Sequence, residues 1–349
     1  MPLIQSTKRL VKHAAIRAGL EAVALSGAAA LFPEAGGRGV IFTLHHVRPE
    51  GAVSEFSPNA LLSVTPQFLG EAIDAALDCG LVPVHLHDLP ALLSDPADER
   101  NFVAFTLDDG YRNNAEHAAP VFRARDVPYT IFINPGFVER TRTMWWETAA
   151  ELTRRAPSFR FDFGDGAGAV VSTSPGQKYA AFDRLAAFVA SADEDEAVAR
   201  IDDVARDHGI DPIGIVDRLV MDEADLQDLA RDPLVHFGAH TVTHVNLRRV
   251  PPERLLREIR ESTTTVERYV GQRPRSFSYP YGWRGAVGER EVQAAADAGF
   301  PAAVTTQPGV LSAAAAARPT ALPRVSLNGH FQKRRYVKAL ISGIPFRLM

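Results

Sequence analysis

Cysteine is almost missing from this sequence: Cys79 is the only one in 349 residues. That excludes an intramolecular disulfide framework and a multi-cysteine metal site. A long apolar run is missing as well. The best candidate, AGLEAVALSGAAALF at 18–32, is broken by Glu21 and falls short of the roughly 20 apolar residues of a membrane span. No signal-peptide cleavage site follows it at the usual distance. Excess positive charge is also absent, and a net charge of -4 argues against a general nucleic-acid binder. What is present is 46% hydrophobic content, enough for a sizeable core in one large domain or two ordinary ones.

The charge is unevenly placed. The first twenty residues carry Lys8, Arg9, Lys12 and Arg17 without an acid, and 330–349 carry Lys333, Arg334, Arg335, Lys338 and Arg347 without one, so the tails hold +4 and +5 and the middle -13. On a helical wheel Leu3, Leu10, Val11, Ala14 and Ala18 share one face, opposite Lys8, Arg9, Lys12, His13 and Arg17. Such a basic amphipathic helix either packs on the domain or lies on a membrane surface.

Between the tails, short apolar strands alternate with helical patterns. Strands are expected at GVIFTL (39–44), LVPVHL (81–86), FVAFTL (102–107), YTIFI (129–133), LVHFGA (234–239), SFSY (276–279), AAVTT (302–306) and RVSL (324–327). Thr65 and Pro66 supply an N-cap and first-turn proline for a helix that Gly80 ends, with Cys79 near its end as an inert small hydrophobe. Further helices are expected at 252–270, stopped by Gly271, and 289–298, stopped by Gly299. The alternation predicts an α/β fold with a parallel sheet, open or closed into a barrel. Three regions follow: an N-terminal amphipathic helical segment at 1–38, the α/β domain at 39–329 with a mostly helical insertion at about 140–232, and a basic C-terminal tail at 330–349. Within the insertion, DFGDGAGAVVSTSPGQ reads as a hairpin or a loop.

Polar residues collect at strand C-terminal ends: His45 and His46 after GVIFTL, Asp108 and Asp109 after FVAFTL, His240 and His244 after LVHFGA, Pro280 and Tyr281 after SFSY. In a parallel barrel those ends share the face that carries active sites. His240 and His244 stand at i and i+4, one helical face apart, a spacing that lets two imidazoles share a metal. Two histidines and one carboxylate make a three-ligand site with an open position, the composition of catalytic rather than structural zinc. Of two adjacent aspartates, one would be the ligand and the other would accept a proton, with Gly110 permitting the bend that brings both to the site. Each feature also has a blander reading, since Asp-Asp-Gly after a strand serves as a turn and surface histidines at this spacing are common.

These residues resemble the polysaccharide deacetylases, the carbohydrate esterase family of chitin, peptidoglycan and nodulation-factor deacetylases. Thr106 to Gly110 is similar to the family's Thr-Phe-Asp-Asp-Gly with Leu107 in place of phenylalanine, His240 to His244 to its His-Ser/Thr-x-x-His, and SYPYG (278–282) in part to its third motif. The resemblance implies a distorted parallel (β/α) barrel, Asp108 as base, Asp109, His240 and His244 as metal ligands, and the Tyr281 backbone N–H as an oxyanion donor. The family's C-terminal general-acid histidine has no counterpart, because His330 lies in LNGHFQK. FTLHHV instead resembles the N-terminal motif of the subgroup acting on poly-N-acetylglucosamine, which points to His45 as the acid, with His46 as the competing neighbour. Arg324 is the candidate for the arginine missing from the third motif, able to pair with Asp108.

The resemblance implies a hydrolase that uses one divalent metal, zinc or else cobalt or nickel, to remove acetyl from an N-acetylglucosamine-containing polysaccharide or chitooligosaccharide, and the two basic tails add a lipid-linked glycan to the expected substrates. An O-acetyl esterase, a hydrolase of another small amide, and a non-catalytic carbohydrate-binding relative are the other readings. Pro280, Trp283, Trp145 and Trp146 are candidates for holding the sugar, the last two equally for core or lid packing. No nucleic-acid partner is expected. The expected place is cytoplasmic, with the basic tails in peripheral contact with the anionic inner membrane face.

Overall fold

A computed structural model describes residues 2–51 and 54–347. Side chains of residues 2–10 and 28 lie outside the description, and with them Leu3, Lys8, Arg9 and Leu10 of the N-terminal helix. The described strands are β1 (Gly39–Leu44), β2 (His46–Val47), β3 (Ser63–Val64), β4 (Val82–Pro83), β5 (Phe102–Leu107), β6 (Tyr129–Ile133), β7 (Ser158–Asp162), β8 (Ala167–Val171), β9 (Val235–Ala239), β10 (Ser276–Ser278), β11 (Ala302–Val304) and β12 (Val325–Ser326).

The main sheet is parallel throughout, in the order β11-β10-β9-β6-β5-β1-β12, with β4 on the first residues of β5. Every residue of β1, β5 and β6 is buried, as expected for strands covered on both faces. One face of the sheet carries Val40, Phe42, Val103 and Phe105 under the helix Pro66–Asp78. The other carries Ile41, Ala104, Phe132 and Val304 with Leu86 and Leu89, filling the barrel interior. Leu322 bridges Val304 of β11, and three residues later β12 pairs with β1. The segment 322–326 thus touches both edges of the sheet and closes the distorted (β/α) barrel that the resemblance implies, the closed form of the parallel sheet that the alternation predicts.

Local signals read correctly where they were local. The Thr65 side chain accepts a hydrogen bond from the Phe68 N–H at 3.1 Å, satisfying one of the helix's free donors. The helix Pro252–Val270 ends at Gly271 in the left-handed conformation, φ 71°. Two expectations fail. LVPVHL is a strand only at Val82–Pro83, because β6 takes over the edge of β5 from Phe105 onward and Leu86 turns away to plug the barrel. Cys79 is exposed rather than packed as a small hydrophobe.

The glycine-rich stretch forms the antiparallel hairpin β7–β8. It packs with the helices Trp145–Arg155, Pro175–Ser191 and Glu194–Asp207 around Leu152, Phe159, Phe161, Leu185 and Ile201. Within that layer Asp202 is buried, and its Oδ2 accepts from Thr143 Oγ1 at 2.7 Å while Oδ1 finds no partner. Desolvation pushes its pKa up to about 6, against the Thr143 bond. The folded-state value lies above the unfolded one, so the native state gains from the proton. That gain is complete below about pH 4 and is lost as pH rises through 6. Asp202→Asn, uncharged at every pH, is expected to be more stable than wild type at pH 8 by about 1–3 kcal/mol. The difference should vanish below pH 4 in denaturant melts; a pH-independent difference would contradict it.

The termini pack together. The helix Pro2–Ser26 lies against the helix Arg334–Ile341 through Leu20, Val23 and Ala24 on Tyr336 and Ala339. Val11, Ala14 and Ala18, the described members of the apolar face read from the sequence, are exposed. Nor is the 330–349 charge simply solvated: Glu21 accepts from Lys333 at 3.0 Å, Arg335 at 2.6 Å and the Tyr336 hydroxyl at 2.5 Å, and Asp78 accepts from Arg334 and Lys338. No helix of the described residues is long and apolar enough to cross a membrane.

Candidate active site

One cavity of about 330 Å³ opens at the C-terminal ends of the strands, lined by His45, Asp108, Asp109, Trp145, Trp146, His240, His244 and Tyr281 together with Thr43, Leu61, Leu62, Thr306 and Ser326. Residues from eight separate stretches converge there because parallel strands deliver their C-terminal loops to one face. Pro280 is buried but does not line the cavity, and Trp283 is 56% exposed, folded over Gly285. The sugar-holding expectation therefore places Trp145 and Trp146 on the wall and leaves Pro280 and Trp283 off it.

Asp108 continues β5 inward, whereas Asp109 turns: its φ is 72°, followed by Gly110 at 66°. The reversal that lets neighbouring carboxylates share a site begins at the aspartate itself, not at the glycine. Aspartate tolerates this left-handed conformation better than most residues. His244 and Tyr281 also have positive φ, so three of the six such non-glycine residues among the described residues line this one cavity, and a fourth, Thr241, stands between the two histidines. Such concentration marks a functional site.

Asp109, His240 and His244 offer ligand atoms that all lie within 4.8 Å of one another. Asp109 Oδ1 is 3.5 Å from His240 Nε2 and 3.4 Å from His244 Nε2, yet it is buried without a hydrogen-bond partner. His240 Nδ1 meets the Ser278 carbonyl at 2.7 Å, a contact that requires the proton on Nδ1 and leaves the Nε2 lone pair facing the carboxylate. Converging lone pairs with an orphaned carboxylate oxygen fit a divalent cation, and three protein ligands leave a position open.

The two histidines do not share a helix, contrary to the reading of their spacing. They sit on an irregular loop after β9. Glu258 holds it by accepting from the Val242 N–H at 2.8 Å, the Thr243 N–H at 3.0 Å and the Thr243 hydroxyl at 2.7 Å. Asn134 donates to the carbonyls of His240 and Thr241 from below. Glu258 was legible as a carboxylate on the buried face of Pro252–Val270, beside Leu255 and Ile259. Glu194 was not, because its partners are distant in sequence. It accepts from the Tyr281 hydroxyl at 2.6 Å and from the Asn246 N–H at 2.8 Å, tying the insertion to the histidine-bearing loop and to the Tyr281 loop.

Asp108 is buried against Arg324, whose Nη1 and Nη2 each donate to one carboxylate oxygen at 2.7 Å. Ser278 Oγ, Thr106 Oγ1 and the Thr305 carbonyl accept the remaining guanidinium bonds. Desolvation pushes the Asp108 pKa up, but the Arg324 charge and hydrogen bonds outweigh it and hold the carboxyl below its usual range. Burial likewise raises Asp109, and the facing imidazoles of His240 and His244 bring it well below normal. Burial lowers His45 despite the opposing pull of Asp109 and Asp108.

His45 faces the cavity. His46 does not: it is buried, bonded to Asn113 at 2.8 Å and stacked on Tyr111 at 3.6 Å between ring centroids. His330 stands away from the site, its ring 4.5 Å from that of His13 on the N-terminal helix. Trp146 lies 5.0 Å from the His244 ring, and the Trp145 indole N–H donates to the Tyr281 hydroxyl at 3.0 Å.

The family model described as polysaccharide deacetylase matches residues 95–160 and 187–303, which carry Asp108, Asp109, His240, His244 and Tyr281 but neither His45 nor Arg324. No curated protein matches the sequence significantly. Among solved structures, the chain is similar to the Streptococcus pyogenes deacetylase PplD in complex with acetate, with TM-score 0.52, 16% identity, and 83% of this chain and 93% of that one covered. It is also similar to IcaB from Ammonifex degensii, with TM-score 0.51, 15% identity and coverage of 86% and 96%. A de-N-acetylase from Aggregatibacter actinomycetemcomitans aligns with TM-score 0.52, 13% identity and coverage of 84% and 95%. At these identities the structural likeness concerns the fold, and the family model, covering over half the chain, concerns the sequence: the chain belongs to the polysaccharide deacetylase family.

Proposed function

We propose that the protein is a metal-dependent hydrolase that removes the acetyl group from an N-acetylated sugar and releases acetate. The observation that carries this reading is the convergence of Asp109, His240 and His244 beside a buried Asp108–Arg324 pair in one cavity. Asp109, His240 and His244 would hold a divalent cation, with zinc the first choice for this donor set and cobalt or nickel also suited. Such a cation supplies a Lewis acid, lowering the pKa of water toward about 7 and polarising the acetyl carbonyl.

Asp108 takes the proton of the attacking water, and Arg324 keeps it ionised and aimed for that task. The Tyr281 backbone N–H donates to the oxygen on which negative charge develops. His45 hands a proton to the departing amine; its lowered pKa makes the protonated imidazole a stronger acid, suited to a basic leaving group. Trp145 and Trp146 give the sugar a flat apolar wall. An O-acetyl ester would meet the same groups and differ in not needing a proton on nitrogen, so it remains the second reading.

Metal content by mass spectrometry, measured with acetate release from N-acetylglucosamine oligomers, tests the proposal. Wild type is expected to carry near one metal per chain, and His240→Ala to lose both metal and acetate release. Metal without acetate on N-acetyl or O-acetyl sugars would overturn the substrate class, and metal retained in His240→Ala would overturn the ligand set.

A further inference from the structure

We propose that the substrate is an amphiphile, an N-acetylated sugar carried on an acyl or polyprenyl chain, and that its chain lies in a second, apolar groove beside the catalytic cavity. The head-group half rests on the deacetylase reading; the chain half rests on the groove. That groove, about 420 Å³, runs between the N-terminal helix and the C-terminal segment, within the roughly 300–1,000 Å³ of ligand sites. Ile16, Gly19, Leu20 and Val23 form one wall, at the i, i+3, i+4, i+7 spacing of a single helical face. Phe68 and Leu340 stand among the apolar side chains across from them.

Ser326 lines both this groove and the catalytic cavity. The two therefore adjoin at β12, on the barrel rim, and the proposed ligand would pass from one to the other over Ser326. Gly19 is the second observation. Glycine within a helix is a poor helix former, and a Cβ built there meets nothing within 4 Å. A methyl fits at this position, whereas a bulky side chain would fill the groove, and the glycine leaves it open.

The surroundings favour a lipid chain over a peptide. The side chains of Ser326 and Asn328 are the polar ones in the lining, too few to satisfy a peptide backbone. Of the ten exposed large apolar side chains among the described residues, Val11, Ile16, Leu25, Leu31 and Phe32 fall within 11–32. Lys12 and Arg17 are exposed on the same helix. Exposed apolar groups beside cations suit a helix lying at an anionic headgroup boundary, and the groove opens along that helix.

Dodecyl and methyl N-acetylglucosaminide, both below micelle-forming concentration, are the probes. In wild type and in Gly19→Ala, which leaves the groove open, kcat/KM for the dodecyl glycoside is expected to exceed that for the methyl glycoside at least tenfold. Gly19→Phe, which fills the groove, is expected to lose that preference with the methyl rate unchanged. Calorimetric binding to Asp108→Asn should show the same dodecyl preference without turnover. No chain preference in binding, or an equal loss on both glycosides in Gly19→Phe, overturns the proposal. If neither glycoside releases acetate while dodecyl binding persists and falls in Gly19→Phe, the groove assignment stands and the deacetylase reading fails.

Discussion

Asp108→Asn is expected to lower turnover by about 10²–10⁴-fold, the usual weight of a general base, while each chain retains its metal. The two carboxylates are adjacent but differently committed. Asp109 Oδ1 lies between two imidazoles, whereas both oxygens of Asp108 face a guanidinium. Replacing Asp108 therefore leaves the candidate ligand atoms in place and removes the proposed proton acceptor. Asparagine keeps one oxygen for Arg324, so circular dichroism should report a folded barrel. Acetate release and metal content on the same preparation check both halves. Turnover within tenfold of wild type would assign the base elsewhere; loss of metal would make Asp108 a ligand.

Arg324→Met should have the largest effect on stability, about 3–5 kcal/mol, because it strands a fully buried carboxylate. Asp108 is 3% exposed and Arg324 1%, so water cannot replace the missing partner. Turnover should fall as well, since the carboxylate loses the charge that depresses its pKa and becomes protonated more readily. The double variant Asp108→Asn/Arg324→Met is expected to recover part of the stability and none of the activity, as removal of both charges relieves the burial cost. Urea melts of the four proteins give the coupling directly. Additive losses would mean that the pair contributes nothing as a pair.

Much of this architecture was legible because its signals are local. A strand buried on both faces reads as a continuous apolar run, and β1, β5 and β6 appear as such. Thr65-Pro66 and Gly271 are helix ends that their own residues specify. The convergence of Asp109, His240 and His244 was legible because strand ends in a parallel barrel share one face whatever the loops do. The loop conformation itself was not. His240 and His244 have helical spacing, but Glu258 and Asn134 hold them in a turn with positive φ at Thr241 and His244, and tertiary hydrogen bonds override local propensity. The same holds for the choice between His45 and His46 at the cavity: neighbours on an extended chain point opposite ways, and only the packed structure says which faces in. Glu194 left no local trace, because its meaning comes from a tyrosine 87 residues away.

The seam at 322–326 has a consequence for how the molecule becomes active. Asp108 and its counter-ion are 216 residues apart, and Arg324 arrives on the very segment whose docking joins the sheet's two edges. Asp108 is therefore synthesised long before its cation, and the pair can form only when that segment docks. Under the proposed role of Asp108, the segment that closes the barrel also sets the charge of the base.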